Sequence, residues 1–377
     1  MADILIIDPD REAGQLLVEA LESQGYQVAL ASSGEEGLML ATKTLPAMVI
    51  CDSRLMVGAA PLNLGHALKN LPCLDPAWLL VLTVRGMVPE SLENLEGGAD
   101  DLLCKPVDIN ELRARVRLGL RLHRLARDLR QQKLQVEAEL AEAESYVRSL
   151  LPADQVEKIP IHSKFVPSQQ LGGDCYDYYW LDPDYLVIYL LDVSGHGLGS
   201  ALLSTSVLNV LRSQSLPDVS FYRPEKVLRA LNETFPMEDQ NQKYFTIWYG
   251  VLNCANRQLL YASAGHPPAV LVSVDEQQRV ISRRLGASGM PVGLLPDTKY
   301  SWQRCQIPPH SRLYLFSDGL YEVQQANQEY IGLDRFIDLL TATPREQGME
   351  PILQAVLNCQ GSEQAVDDMS LMMIDID

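Results

Sequence analysis

The chain has 377 residues, 47% of them hydrophobic, and a formal net charge of −18. That length predicts two or three domains, each with its own core, and the charge excludes the basic footprint that nucleic acid or an anionic membrane surface demands. The seven cysteines contain no CxxC pair, which reads as reduced thiols and excludes a disulfide framework or a zinc site.

Residues 1–107 alternate short apolar runs with helical patterns. Strands are predicted at 4–7, 28–31, 47–51, 78–82 and 102–104. Between them, Ala13, Leu16, Leu17, Ala20 and Leu21 recur at helical spacing across 12–23, and the pattern stops at Gly25. Shorter helices are predicted at 33–42 and 63–70. Five strands with interleaved helices predict a doubly wound α/β domain around a five-stranded parallel sheet. The chain opens Met1-Ala2-Asp3 without a basic n-region, so no signal peptide is expected. No apolar run reaches the roughly 18 residues of a membrane span. The expectation is a cytoplasmic protein with no membrane partner.

Residues 108–151 have no Gly after Gly119 and no Pro until Pro152. Leu118, Leu122, Leu125 and Leu129 follow a 4-3-4 spacing that continues through Gln132, Val136, Glu139, Ala143, Tyr146 and Leu150. This is a coiled-coil seam, weakened where Gln132 and Glu139 occupy it. A helix of this length spans about 65 Å, longer than a small domain is wide. That favours a stalk pairing two chains, a homodimer through residues 112–150, over a helix packed on its own domain. Bases run from Arg113 to Lys133 and acids from Glu137 to Glu144. An antiparallel pair would match these charges, and a parallel pair would set like against like.

Residues 152–377 are strand-rich. Strands are predicted at 185–191, 245–252, 258–264, 269–274, 312–316 and 370–376, with helices at 199–213 and 224–232. Clustered strands with separate helices predict an α+β domain of two sheets with flanking helices.

In an open α/β sheet the functional crevice lies at the carboxyl ends of the strands. In residues 1–107, Asp8 follows the first strand, Asp52 the third, Thr83 ends the fourth and Lys105-Pro106 follow the fifth. An acid pair, a hydroxyl and a lysine at one sheet edge suit Mg²⁺-assisted phosphorylation of an aspartate, with Asp52 as nucleophile and Lys105 and Thr83 bonding the product. The stretches 4–10, 51–56, 81–83 and 104–106 together resemble the receiver domain of bacterial response regulators. The resemblance implies that Asp52 takes a phosphoryl group from a sensor histidine kinase. It also implies that Asp8 and the Arg54 carbonyl hold Mg²⁺, and that Thr83 and Lys105 switch. There are two departures. Pro9 stands where the family carries a second acid, and Met56 where it often carries proline. One carboxylate fewer weakens Mg²⁺ binding, with Asp10 a partial substitute.

The later acids fall in four motifs: Gly172-Gly173-Asp174-Cys175-Tyr176-Asp177, Asp192-Val193-Ser194-Gly195-His196-Gly197, Ser317-Asp318-Gly319 and Asp367-Asp368-Met369-Ser370. Aspartates at strand ends with no His or Cys partner suit a hard cation such as Mg²⁺ or Mn²⁺, and an adjoining glycine lets a backbone carbonyl join them. The motifs resemble the metal-dependent serine/threonine phosphatases of type two-C, in the bacterial SpoIIE/RsbU-like branch. Phe245-Thr246, Ala264 to Pro268 and Pro291-Val292-Gly293 add to the resemblance. It implies two Mn²⁺ or Mg²⁺ ions, with Asp192 bridging and the Val193 carbonyl on one of them. Asp318 and Asp367 would complete the other, Asp174 would bind more weakly, and Asp368 is the alternative to its neighbour Asp367. Two such cations would lower the pKa of a water and clamp the phosphoryl oxygens for in-line attack. His196 is a candidate substrate contact, since alignment on Asp192 places Ser194 where the eukaryotic enzymes carry their histidine. Asp177 reads as a turn or supporting residue, and His266 as a loop-rigidifying one. No P-loop, GxGxxG, HExxH or complete GxSxG competes.

The combined expectation is a response regulator whose output is a phosphatase. The resemblance implies a phosphorylated anti-anti-sigma (STAS) protein as substrate in partner switching. The alternative is an RssB-like adaptor that binds a sigma factor through a degenerate phosphatase-like domain. Such a domain should have lost its metal-binding acids, whereas Asp174, Asp192, Asp318 and Asp367 are all present.

Overall fold

The computed structural model describes residues 3–55, 64–69, 71, 77–84, 98–168, 171–277, 279–323, 330–360, 365 and 367–377. Met56 and the two outermost residues of the helix expected at 63–70 lie outside these. The chain divides into two compact units, Met1–Glu137 and Ala138–Asp377.

In the first unit the described elements are β1 (Ile4–Ile7), α1 (Arg11–Glu22), β2 (Val28–Ala31), α2 (Gly34–Thr44), β3 (Met48–Asp52), α3 (Leu64–Lys69), β4 (Trp78–Val84), β5 (Asp101–Lys105) and the start of α4 (Ile109–Leu150). The sheet is parallel, in the order β2-β1-β3-β4-β5. Its strands are apolar on both faces, as a sheet covered on both sides requires. Leu5, Ile7, Val49, Cys51, Leu79 and Val81 face the helices α2 and α3. Ile4, Ile6, Ile50, Leu80 and Leu82 face α1 and the first turns of α4, where Leu112 and Val116 are buried. A Cβ on Gly119 would come within 2.3 Å of Met48 and 2.6 Å of Trp78, so only glycine lets α4 lie this close to the sheet.

This packing shortens the expected pairing range, 112–150, at its start and leaves the expected seam face exposed. Leu112 and Val116 are spent on the core of the first unit, so a seam free for a second chain begins at Leu118. Beyond it the seam is exposed: Leu125 and Leu129 are 56% and 68% accessible. The helix itself is continuous for 42 residues.

The second unit contains β6 (Ile161–Val166), β7 (Cys175–Trp180), β8 (Tyr185–Val193), α5 (Leu198–Arg212), α6 (Pro224–Thr234), β9 (Phe245–Asn253), β10 (Gln258–Ala264), β11 (Ala269–Val274), β12 (Val280–Leu285), β13 (Gln303–Gln306), β14 (Ser311–Phe316), α7 (Gly332–Ala342), α8 (Glu350–Gln360) and β15 (Met369–Ile376). Two antiparallel sheets, β13-β10-β9-β8-β7 and β12-β11-β14-β15-β6, pack face to face. Side-chain alternation assigns each face. Leu186, Ile188 and Leu190 of β8 meet Leu313, Leu315, Met372 and Ile374 in the middle layer. Val187, Tyr189 and Leu191 turn outward onto α5 and α6. Tyr314 and Phe316 turn outward onto α7 and α8. The result is a four-layer helix–sheet–sheet–helix unit, the α+β class expected. No helix among the described residues is long and apolar enough to cross a membrane.

Candidate functional sites at two strand edges

In the first unit, parallel strands bring Asp8, Asp52, Thr83 and Lys105 to one carboxyl edge. Asp8, Asp52 and Thr83 are all buried. The Lys105 ammonium donates to Asp8 Oδ2 at 2.8 Å and also to Asp52 Oδ2. Burial alone would push the Asp52 carboxyl up, but hydrogen bonds from Arg54 and Lys105 outweigh it and hold the group below the usual carboxylate range. Burial opposes the charge on Lys105, yet its bonds to Asp52 and Asp8 raise its pKa. Asp10 does not line this site freely. Its Oδ1 accepts the N–H groups of Glu12 and Ala13 at 3.1 and 3.2 Å and caps α1.

The resemblance implied a role for the Arg54 carbonyl; its side chain adds a contact that the sequence did not show. In the structure its guanidinium lies on Asp52, with Nε to Oδ1 at 2.9 Å and Nη2 to Oδ2 at 3.0 Å, while its backbone N–H donates to Oδ1 at 2.8 Å.

In the second unit, antiparallel pairing gathers the four acid motifs at one end of the two sheets. The start of β7 lies beside the end of β8, and the start of β15 beside the end of β14. Asp174 precedes β7, Asp192 is the penultimate residue of β8, Asp318 follows β14, and Asp367 and Asp368 precede β15. Two glycines allow the close approach. A Cβ on Gly173 would fall 2.7 Å from the Val193 carbonyl oxygen, and one on Gly319 would fall 2.2 Å from that of Asp368.

The carboxylates act on one another. Burial raises the Asp174 pKa well above its ordinary value, and Asp192 and Asp368 add to this. Asp192 is raised likewise by burial and by Asp318, Asp367 and Asp368. Asp318 is pushed up to about 6 by burial, Asp367 and Glu322. Among the described residues, Asp174 Oδ2 is buried without a hydrogen-bond partner. Among the described residues no three His, Cys, Asp or Glu side chains converge into a ready-made metal cage. An all-oxygen donor set, concentrated negative charge and one orphaned buried oxygen fit a hard divalent cation.

Asp367 and Asp368 separate by environment. Asp367 is exposed and, among the described residues, accepts only the N–H of its neighbour, at 2.8 Å. Asp368 is 5% accessible; its Oδ1 accepts the Ser168 N–H and hydroxyl, and its Oδ2 accepts the Gly173 N–H at 2.7 Å. His196 is exposed in the loop 194–197, where Gly195 and Gly197 take φ of 78° and 85° and turn the chain from β8 into α5. His266 is buried, with its Nδ1 2.8 Å from Thr246 Oγ1, and Thr246 is the cross-strand partner of Asp192. The motif 291–293 closes on the same strand, through the paired backbone groups of Phe245 and Val292.

Two side-chain contacts carried no sequence signal. Lys243 places its ammonium 2.9 Å from Ser200 Oγ and 3.3 Å from the Ser194 carbonyl oxygen, fastening the 194–197 loop to the first turn of α5. Asp177, read as a turn or supporting residue, is a buried strand residue, and its carboxylate accepts from Arg212 Nε at 2.8 Å.

A parallel sheet with buried acids at its carboxyl edge, and a four-layer unit with an acid cluster at one end, define a receiver joined to a domain of phosphatase fold. Residues 182–377 match the family model for stage II sporulation protein E (SpoIIE), and the chain belongs to that family. Residues 4–117 match the response regulator receiver domain. The phosphoserine phosphatase RsbP of Bacillus subtilis is 30% identical over 192 residues, covering 50% of this chain and 47% of that protein. Protein IcfG of Synechocystis sp. is 25% identical over 264 residues, 63% of this chain and 41% of that protein. The chain thus spans about half the length, or less, of these curated relatives. The solved phosphatase-type domain of SiaA from Pseudomonas aeruginosa covers 65% of this chain and 99% of its own, with a TM-score of 0.56 and 19% identity. It supports the fold.

Proposed function

We propose that the protein is a response regulator whose output is metal-dependent hydrolysis of phosphoserine or phosphothreonine on a regulatory protein. The observation that carries this reading is the gathering of Asp174, Asp192, Asp318 and Asp367 at one end of the two sheets, with Asp174 Oδ2 buried and, among the described residues, unpartnered. An adaptor has no reason to keep such a destabilising cluster. The name of RsbP, a phosphoserine phosphatase, supports the substrate class. We take the substrate to be a phosphorylated anti-anti-sigma (STAS) protein, and the donor to Asp52 to be a sensor histidine kinase.

In this reading Asp192 and the Val193 carbonyl serve one Mn²⁺ or Mg²⁺, and Asp192, Asp318 and Asp367 serve the other. Asp174 stands behind them. Two such cations supply an acidified water and a charge clamp for the phosphoryl oxygens. Gly173 and Gly319 let the strands close so that the acids share one space. Lys243 holds the loop that carries His196, and His196 faces the solvent from which a protein substrate arrives. In the receiver, Asp8, Asp52, Thr83 and Lys105 form the phosphoacceptor site, with a Mg²⁺ affinity that Pro9 lowers. Two chains pair through the seam from Leu118 to Leu150, and a change in that pairing alters the phosphatase domain.

The test is turnover of phosphorylated STAS proteins in Mn²⁺, with and without an acyl-phosphate donor. Asp192→Ala should abolish it. Undiminished turnover by that variant would overturn the reading. Capture of a sigma factor with no turnover by the unaltered protein would favour the adaptor.

A further inference from the structure

Among the described residues, the receiver site holds two buried carboxylates and two cations. Asp8 Oδ1 accepts the Asp10 N–H at 2.9 Å and lies 3.5 Å from Arg54 Nη2, and Asp8 Oδ2 accepts from Lys105. Both oxygens of Asp52 accept from the Arg54 fork, and Oδ2 also accepts from Lys105. Among the described residues the two cations therefore match the two carboxylates in charge. The chain carries Pro9 where a second acid would add to the negative charge, and Asp10 Oδ1 is taken by the α1 cap.

An exposed ion pair contributes little, but this one is not of that kind. The carboxylate is buried, the guanidinium fork is bidentate, and a third bond from the Arg54 backbone fixes the register. The arginine side chain itself is 60% accessible. Its outer side is solvated, so it can leave Asp52 without opening the core. A divalent cation between Asp8 and Asp52 needs the oxygens that the guanidinium holds. Both cations cannot occupy them together without strong like-charge repulsion.

We propose that Arg54 is a resident counter-cation of the phosphoacceptor site, competing with a divalent cation for Asp52 and Asp8. The proposal rests on the reading of the first unit as a working receiver. The competition sets a high Mg²⁺ requirement for phosphorylation. In that step an Asp52 oxygen forms a bond to phosphorus, the donor's own bond to that phosphorus breaks, and the donor leaves with the bonding pair. Arg54 must release the attacking oxygen first. Once phosphorylated, Asp52 offers new anionic oxygens that the same fork can pair in place of the metal.

The experiment is calorimetric titration of the full chain with Mg²⁺. The binding component lost in Asp52→Asn reports the receiver site, separate from the acid cluster of the second unit. Arg54→Ala should tighten that component about tenfold, and Arg54→Lys, which keeps the charge but loses the fork, should fall between. Unfolding curves establish that each variant folds. An affinity unchanged within twofold, or weakened, in Arg54→Ala overturns the proposal. Labelling with acetyl phosphate runs beside it. If both proteins are labelled while their affinities match, the Arg54 proposal alone falls. If neither binds Mg²⁺ through Asp52 nor is labelled, the receiver reading falls and takes the proposal with it.

Discussion

Arg212 Nη2 donates to the carbonyl oxygen of Leu150 at 3.0 Å. Leu150 is the last residue of α4, and Arg212 is the last of α5, whose first turn follows the loop bearing His196. The same guanidinium, through Nε, holds the buried carboxylate of Asp177. One side chain therefore ties the end of the long helix to the helix that leaves the acid cluster.

Arg212→Ala should cost about 3 kcal/mol, because it leaves the Asp177 charge buried and unpaired. Asp177→Asn added to it should restore part of that loss, since the stranded charge disappears. Urea unfolding of the single and double variants measures both. Equal destabilisation in the two would remove the ion pair as the cause.

Asp367 and Asp368 should fail differently. Asp367→Asn removes an exposed carboxylate that supports no distant backbone among the described residues, so stability should hold while Mn²⁺ affinity and turnover drop by about a hundredfold. Asp368→Ala strands the N–H groups of Ser168 and Gly173, at a cost of about 2 kcal/mol. Thermal melts with and without Mn²⁺ separate the two effects. The reverse pattern would make Asp368 the ligand.

Strands buried on both faces were legible because their sequences are continuous apolar runs; the bounds of β10 and β11 match the expected residues. β6, β7, β12 and β13 were not. β12 (VISRRL) is exposed along most of its length and β13 (QRCQ) is a four-residue polar edge, so neither shows a core face. β7 hides Asp177 in an aromatic run, and a buried acid reads as a turn until its partner Arg212, 35 residues away, is brought to it. The acid clusters were legible because each motif adjoins a strand end. Arg54 was legible only as a backbone donor of coordination, since its side-chain contact depends on the turn after β3.

The exposed seam of α4 gives a direct test of pairing. Leu125 and Leu129 are more than half exposed, and burying both against a second helix stabilises by roughly 1.5–3 kcal/mol each. Leu125→Glu with Leu129→Glu should convert a dimer to a monomer in sedimentation equilibrium while leaving the melting of both units unchanged. Sedimentation of the unaltered chain as a monomer at tens of micromolar would dismiss the stalk.

The final prediction concerns pH. Burial drives the His266 imidazole down to about 3, against roughly 6.5 in an unfolded chain. Between those values the unfolded chain binds a proton that the folded chain refuses. The folded state therefore loses stability as pH falls through 6.5 towards 3, and the full contribution is present above 6.5. At pH 5 the loss is about 2 kcal/mol relative to pH 7.5. The raised carboxylates of the acid cluster work in the opposite sense over part of this range, Asp318 among them at about 6, so the unaltered protein alone cannot isolate the histidine. His266→Asn keeps a polar atom near Thr246 and removes the titration, while leaving the acids in place. Urea midpoints in chelator at pH 5 and 7.5 should show the variant losing about 2 kcal/mol less than the unaltered chain on acidification. Equal losses in the two proteins would mean that His266 is protonated in the folded state.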